Sequence, residues 1–353
     1  MMAATVATVV GARPQFIKAA VVSRAIATTA KGGIDEILIH TGQHYDPDMS
    51  QVFFDELEIP YPDENLGIMG GSHGASTGAM LGMLERVFVQ RSPAAVIVYG
   101  DTNSTLAGAL AASKLGIPVV HVEAGLRSFN RSMPEEINRV LVDHISSLLL
   151  APTASAARQL LDEGIREGVS VVGDTMLDAV QQYAPRASST PRSGPYAVLT
   201  IHRAETATSR TRLAAILEGL SSSPIPFVFP VHPRTKEAIV RFGLEVPQAV
   251  EPISPVSYLQ MIGLVRDSAF VATDSGGLQK EAFYLRRPCL TLRDETEWTE
   301  LVELDVNRVV GAVPQEISEG IYWALRCDVP SVNPYGDGHA GQAVVKEILR
   351  LLR

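Results

Sequence analysis

The feature that most constrains this chain is a repeated alternation of short, nearly continuous β-branched runs with amphipathic stretches of helical length. In the N-terminal half the runs are Thr5–Val10, Ile37–His40, Ala95–Tyr99, Pro118–Val122, Leu148–Ala151 and Ser170–Val172. Runs this apolar suit strands buried on both faces of a parallel sheet. Between them, Gln15–Thr28, Asp48–Leu57, Gly74–Gln90, Asn103–Lys114, Glu135–Ser146 and Ser155–Glu163 read as helices. Such alternation predicts a doubly wound α/β domain.

Prolines, serines and a glycine break the pattern over Pro185–Pro195, after which it resumes. Strands are expected at Tyr196–Thr200, Phe227–Val231, Ala269–Thr273 and Cys289–Thr291, with helices at Arg210–Ser221, Arg234–Phe242, Ser257–Gly263 and Leu278–Tyr284. At 353 residues the chain also exceeds what one hydrophobic core usually serves. The expected architecture is therefore α/β, with two Rossmann-like doubly wound domains, residues 1–184 and 185–339, facing a central cleft. A turn-rich run, Asn333–Gly338, precedes a last amphipathic segment, Gly341–Leu352. That break is expected to let residues 340–353 pack back onto the first domain.

Charge and cysteine usage narrow the partners. A net charge of −9 argues against a nucleic-acid binder, which would show a basic stripe for phosphates. Apolar stretches all fall short of a membrane span. The N-terminal residues read as a first strand and not a signal peptide, so a cytoplasmic protein is expected. Cys289 and Cys327 have neither disulfide-framework nor metal-ligand spacing, so no metal is expected.

Several strand ends carry chemistry. Gly11-Ala12-Arg13-Pro14 joins a strand to a helix, where backbone N–H groups and a guanidinium suit an anion, although such turns also use glycine for conformation alone. Asp274-Ser275-Gly276-Gly277 repeats the arrangement in the second half and reads as a phosphate cradle. Glu281, one or two turns into the following helix, suits the two hydroxyls of a ribose, or else is a dipole-favoured acid. Asp101 ends one strand and Glu123 the next, at the carboxyl edge where open α/β sheets bind ligands; for Asp101 the alternative is a helix N-cap.

Glu135 lies in a Pro-Glu-Glu helix start, which sterics and the dipole also favour. Three carboxylates converging on one site would shift one another's proton affinities and form acid/base pairs. In the second half His202, beside Arg203 and Glu205, suits a proton carrier or a partner for a leaving phosphate. His232 and Arg234 end a further strand and add donors for a diphosphate, with Pro233 as a simple helix start being the alternative.

Together these segments resemble the non-hydrolysing UDP-N-acetylglucosamine 2-epimerase family over essentially the whole chain. The resemblance is carried by GARPQFIK at Gly11–Lys18, TGQHYD at Thr41–Asp46, GDTNST at Gly100–Thr105, VEAGLRS at Val122–Ser128 and PEEINR at Pro134–Arg139. It continues in IHRAE at Ile201–Glu205, HPRT at His232–Thr235 and DSGGLQKEA at Asp274–Ala282.

The resemblance implies a GT-B-like pair of domains, a UDP-sugar as substrate, no cofactor and a homodimer. The implied reaction is isomerisation at C2: removal of the C2 proton with anti elimination of UDP to give 2-acetamidoglucal, then re-addition. It implies Asp101, Glu123 and Glu135 as acid/base groups and His202 as the residue assisting UDP departure. Arg13 and Lys18 would meet the substrate, Ser275, Gly276 and Gly277 the diphosphate, Glu281 the ribose and Tyr258 the uracil.

Tyr45-Asp46-Pro47 stands where many of these enzymes carry an Arg-Glu pair linked to activation by substrate, so that activation is not implied here. Arg293–Trp298 resembles the branch acting on UDP-2,3-diacetamido-2,3-dideoxyglucuronate, leaving two candidate substrates. A GT-B glycosyltransferase and a non-catalytic UDP-sugar sensor are the competing readings.

Overall fold

The structure, a computed structural model, describes residues 3–30, 32–43, 54, 56–188 and 192–353. They fall into two units, Met1–Gln181 with Asn333–Arg353, and Gln182–Val332. The Tyr45-Asp46-Pro47 segment and most of the helix expected over Asp48–Leu57 lie outside the described residues.

The first unit is built on strands β1 (Ala4–Val10), β2 (Ile34–His40), β3 (Glu64–Asn65), β4 (Ala95–Tyr99), β5 (Val119–Val122), β6 (Leu148–Ala151) and β7 (Val169–Val171). They form one parallel sheet in the order β3-β2-β1-β4-β5-β6-β7. All five residues of β4 are buried, as expected for a central strand covered on both faces. Its helices are α1 (Arg13–Ala25), α2 (His73–Arg91), α3 (Asn103–Lys114), α4 (Pro134–Ile145), α5 (Ala154–Asp162), α6 (Thr175–Tyr183) and, from the C-terminus, α14 (Ala340–Leu351).

The second unit repeats the plan. Strands β8 (Ala197–Thr200), β9 (Phe227–Pro230), β10 (Val250–Ile253), β11 (Val271–Thr273), β12 (Cys289–Thr291) and β13 (Asn307–Val309) form a parallel sheet in the order β10-β9-β8-β11-β12-β13. Helices α7 (Ala204–Ala207), α8 (Arg210–Leu220), α9 (Pro233–Phe242), α10 (Tyr258–Asp267), α11 (Gly276–Tyr284), α12 (Thr299–Glu303) and α13 (Pro314–Ala324) connect them. In both sheets strand order reverses beside the unit's first strand, at β1/β4 and β8/β11. Ligands of open α/β sheets bind at the carboxyl ends of strands flanking such a reversal.

Where the structure departs from sequence expectation, local chemistry explains it. The helix expected to reach Thr28 is α-helical only to Ala25, and residues Ile26–Ala30 continue as a π-helical turn. Strand β10 contains Pro252, which argues against a central strand; here β10 is an edge strand pairing only with β9, so one missing N–H is tolerated. Helix α10 runs on to Asp267, past Gly263, because Ile262, Leu264 and Val265 bury its apolar side.

The C-terminal helix belongs to the first unit. The N–H groups of Ala340 and Gly341 donate to the Asp178 carboxylate of α6 at 3.0 and 2.9 Å, so a side chain from another helix caps its orphan donors. Burial pushes the Asp178 carboxyl above the usual aspartate value, against those two hydrogen bonds. Among the described residues no helix is long and apolar enough to cross a membrane.

Candidate active site

At the first unit's reversal point, β4 is followed by Gly100, whose φ of +60° favours glycine. A side-chain carbon there would lie 3.4 Å from Glu123 Oε1 and 3.5 Å from Lys18 Nζ, so this turn sits directly beside both groups. Glu123 follows β5 with φ +71°, a left-handed conformation that costs a non-glycine residue and is held by its N–H to Leu150 O at 3.0 Å. Its carboxylate pairs with Lys18, and both side chains are more than nine-tenths buried. A carboxylate in so apolar a strand is thus explained by a buried cation from α1.

Asp101 is not a helix cap. Thr102 caps α3, accepting from Thr105 N at 3.3 Å, which leaves the Asp101 carboxylate for Arg139 of α4. Asn138 Nδ2 donates to Asp101 O at 2.8 Å and fixes the same turn. Glu135 lies four residues before Arg139 on α4, and so on the helix face that meets Asp101. Its neighbour Glu136 is consumed structurally, accepting from Ser128 N at 2.9 Å and Phe129 N at 3.0 Å. Glu135 itself has no hydrogen-bond partner among the described residues and is half-buried.

The expected anion site at Gly11–Pro14 needs correction. The N–H groups of Gly11 and Ala12 both donate to Gln15 Oε1, at 2.8 and 3.0 Å, and Pro14 has no N–H. These backbone donors are therefore already used within the turn, and only the half-buried Arg13 side chain brings positive charge there. Gln15 in turn donates to Tyr99 O and Thr105 Oγ1, both at 2.9 Å, locking α1 to the end of β4.

In the second unit the reversal point joins His202, after β8, to Asp274, after β11. Asp274 is fully buried and accepts from His202 N at 3.0 Å and Arg203 N at 3.0 Å, while His202 Nδ1 stands 3.1 Å from its Oδ1. Burial would raise the Asp274 carboxyl, yet the His202 side chain and the two backbone N–H groups hold it below the usual aspartate value. His202 is thereby oriented through Nδ1, with a side chain 42 % exposed and its other nitrogen available for chemistry.

His232 caps α9, accepting from Arg234 N at 3.2 Å, and its ring lies 6.2 Å from that of His202. Arg234 reaches His202 O at 3.4 Å, so these residues form one cluster. His232-Pro233 thus starts a helix, and the same residues border His202.

Ser275 caps α11 and spends its own N–H on Thr273 Oγ1 at 2.9 Å. The N–H groups of Gly276 and Gly277 that follow have no partner among the described residues, the condition for an anion site at a helix start. A side-chain carbon at Gly276 would fall 2.6 Å from Glu297 Oε1, so any larger residue there would have to displace that carboxylate. Glu297 is held by buried Arg293 at 2.8 Å, and Trp298 Nε1 donates to Gly276 O at 2.9 Å. Lys280 Nζ rests 3.9 Å from the centre of the Trp298 ring. Glu281 lies on the second turn of α11, buried, and Tyr258 packs edge-on against Tyr183 at 6.1 Å.

The structure thus brings Lys18, Asp101, Glu123 and Glu135 to one sheet edge, with Arg13 at the start of α1 on that edge. It brings His202, His232, Arg234, Ser275, Gly276 and Gly277 to the corresponding edge of the second sheet. Sequence reading missed Asp274, Arg139 and Asn138 as partners. Asp274 had a signal, since an acid closing the buried run Val271-Ala272-Thr273 needs compensation.

A profile of the family described as UDP-N-acetylglucosamine 2-epimerase matches residues 26–349. The chain is 47 % identical to a UDP-2,3-diacetamido-2,3-dideoxy-D-glucuronate 2-epimerase of Pseudomonas aeruginosa, over 98 % of this chain and 99 % of that protein. It is 43 % identical to a UDP-N-acetylglucosamine 2-epimerase of Methanocaldococcus jannaschii, over 96 % of this chain and 97 % of that protein. The crystal structure of M. jannaschii UDP-GlcNAc 2-epimerase in complex with UDP-GlcNAc and UDP has a TM-score of 0.88 against this fold, covering 99 % of each chain at 41 % identity. The chain accordingly belongs to the UDP-N-acetylglucosamine 2-epimerase family.

Proposed function

We propose that this chain inverts C2 of a nucleotide-activated amino sugar, UDP-N-acetylglucosamine or its 2,3-diacetamido uronate analogue, by eliminating and re-adding UDP. The observation that carries this reading is the packing of Glu123 and Lys18 against the Gly100–Asp101 turn, which gathers acid/base groups at a reversal point.

One carboxylate of Asp101, Glu123 and Glu135 removes the C2 proton as the C1–O bond to UDP breaks, giving a bound 2-acetamidoglucal. UDP then adds back to C1 as a proton that has exchanged with solvent is delivered to C2 on the opposite face. Lys18 pairs with Glu123 and Arg139 with Asp101, so each of these two carboxylates is held by its own cation where the proton is taken and given. Lys18 and Arg13 also supply charge for the substrate.

In the second unit, the free N–H groups of Gly276 and Gly277, with the Ser275 hydroxyl, receive the diphosphate whose charge develops as UDP leaves. His202, oriented by Asp274, assists departure and return, and His232 and Arg234 add donors. Glu281 takes the ribose hydroxyls and Tyr258 borders the uracil. We further propose that the protein acts as a cytoplasmic homodimer; the absence of disulfide spacing and the kinship with the family support this.

The test is to incubate the chain with each UDP-sugar and follow products by NMR. A reversible mixture of the two C2 epimers supports the reading. Free N-acetylmannosamine with UDP would indicate a hydrolase, and binding without turnover a sensor.

A further inference from the structure

His121 is completely buried, two residues before Glu123 on β5, and the roles above do not use it. Its Nε2 lies 2.7 Å from Gly100 O and its Nδ1 2.7 Å from Asp143 Oδ1. A carbonyl oxygen only accepts, so Nε2 donates. The other oxygen of the Asp143 carboxylate accepts from Gly125 N at 3.2 Å and from Arg127 Nη1 at 2.6 Å. The buried Arg127 guanidinium keeps this carboxylate an anion, so Nδ1 faces an acceptor and also donates.

These bonds fall on the two segments that carry the acids. Gly100 is pinned from both sides, its O by His121 and its N by Val122 O at 3.0 Å. Because the peptide is planar, fixing Gly100 O fixes the start of Asp101. Through Gly125, Asp143 holds the loop just beyond Glu123. A histidine that merely filled the core would need neither connection, and a buried ion pair is a poor source of stability compared with apolar packing.

We infer that the His121–Asp143 pair is a positioning device that sets the separation of Asp101 from Glu123, with the His121 ring protonated on both nitrogens. The inference rests on the proposed acid/base roles of those two carboxylates. Misplacing reacting groups by about 1 Å costs on the order of 10²-fold in rate, which sets the expected effect.

Three measurements test it on the full chain. In the unmutated protein, nitrogen-15 NMR of the His121 ring should show protons on both nitrogens; a neutral ring overturns the inference. His121→Phe fills the space without donating, and should lower kcat on the order of 10²-fold at an unchanged KM. His121→Gln can still donate to Gly100 O and should recover about tenfold of that loss, the worth of one restored hydrogen bond. Equal activity of the Phe and Gln variants at equal melting temperature would reduce His121 to a space-filler and contradict the proposal. Lack of turnover by the unmutated chain would instead count against the proposed activity, and the ring spectrum would still decide the state of His121.

Discussion

Asp274 grips His202 three ways, through the backbone N–H of His202, that of Arg203 and the imidazole Nδ1 at 3.1 Å. A side chain with no exposed surface thus sets the orientation of one that is 42 % exposed.

That grip has a pH signature. The Asp274 carboxyl is held below its ordinary value of 3.8, so its contribution to stability is complete above that value and is lost as pH falls through the lower, folded-state value. Asp274→Asn should therefore flatten the acid limb of stability below about pH 4 in urea titrations, and lower kcat on the order of 10²-fold. An unchanged acid limb would show that the His202 contacts do not stabilise the ionised form.

Lys18 and Glu123 are mutually buried, so removing one leaves an uncompensated charge. Lys18→Met should destabilise the fold by about 3–5 kcal/mol, and adding Glu123→Gln should recover much of it. Chemical denaturation of the two single variants and the double variant checks this; strictly additive losses would show that the pair is not coupled.

Substituting Gly276 by Ala forces a carbon to within 2.6 Å of Glu297 Oε1, on a carboxylate whose other oxygen, Oε2, accepts from Arg293 at 2.8 Å. The expected cost is about 1–3 kcal/mol in stability or in UDP affinity. Calorimetric titration with UDP and thermal melting measure the two. Normal values for both would mean that Glu297 retreats freely.

Conservative neutralisation separates binding from chemistry. Asp101→Asn and Glu123→Gln should retain UDP binding while turnover falls by about 10²–10⁴-fold, the usual contribution of a positioned acid or base. Near-normal turnover in both variants would remove these carboxylates from the mechanism.

Much of this was legible in the sequence because buried strands announce themselves. Runs such as Ala95–Tyr99 are apolar throughout, and the residues just after them, Asp101, Glu123, His202 and Ser275, mark the carboxyl edges. Elements with mixed signals were missed: β10 contains a proline, and β3 has only two residues. Partnerships were less legible than positions. Arg139 with Asp101 and His121 with Gly100 join residues 38 and 21 apart, contacts that only the folded sheet creates. The Gly11–Ala12 donors looked available for the complementary reason, since Gln15 reaches back to them only once α1 has formed.

The central claim is that carboxylates at the ends of β4 and β5 exchange the proton at C2 of a UDP-sugar. The most direct measurement is NMR of the sugar recovered after incubation with the chain in deuterium oxide. The account predicts deuterium at C2 in both epimers, at a rate lowered about 10²–10⁴-fold by Asp101→Asn. Epimers formed with the original proton retained would contradict it.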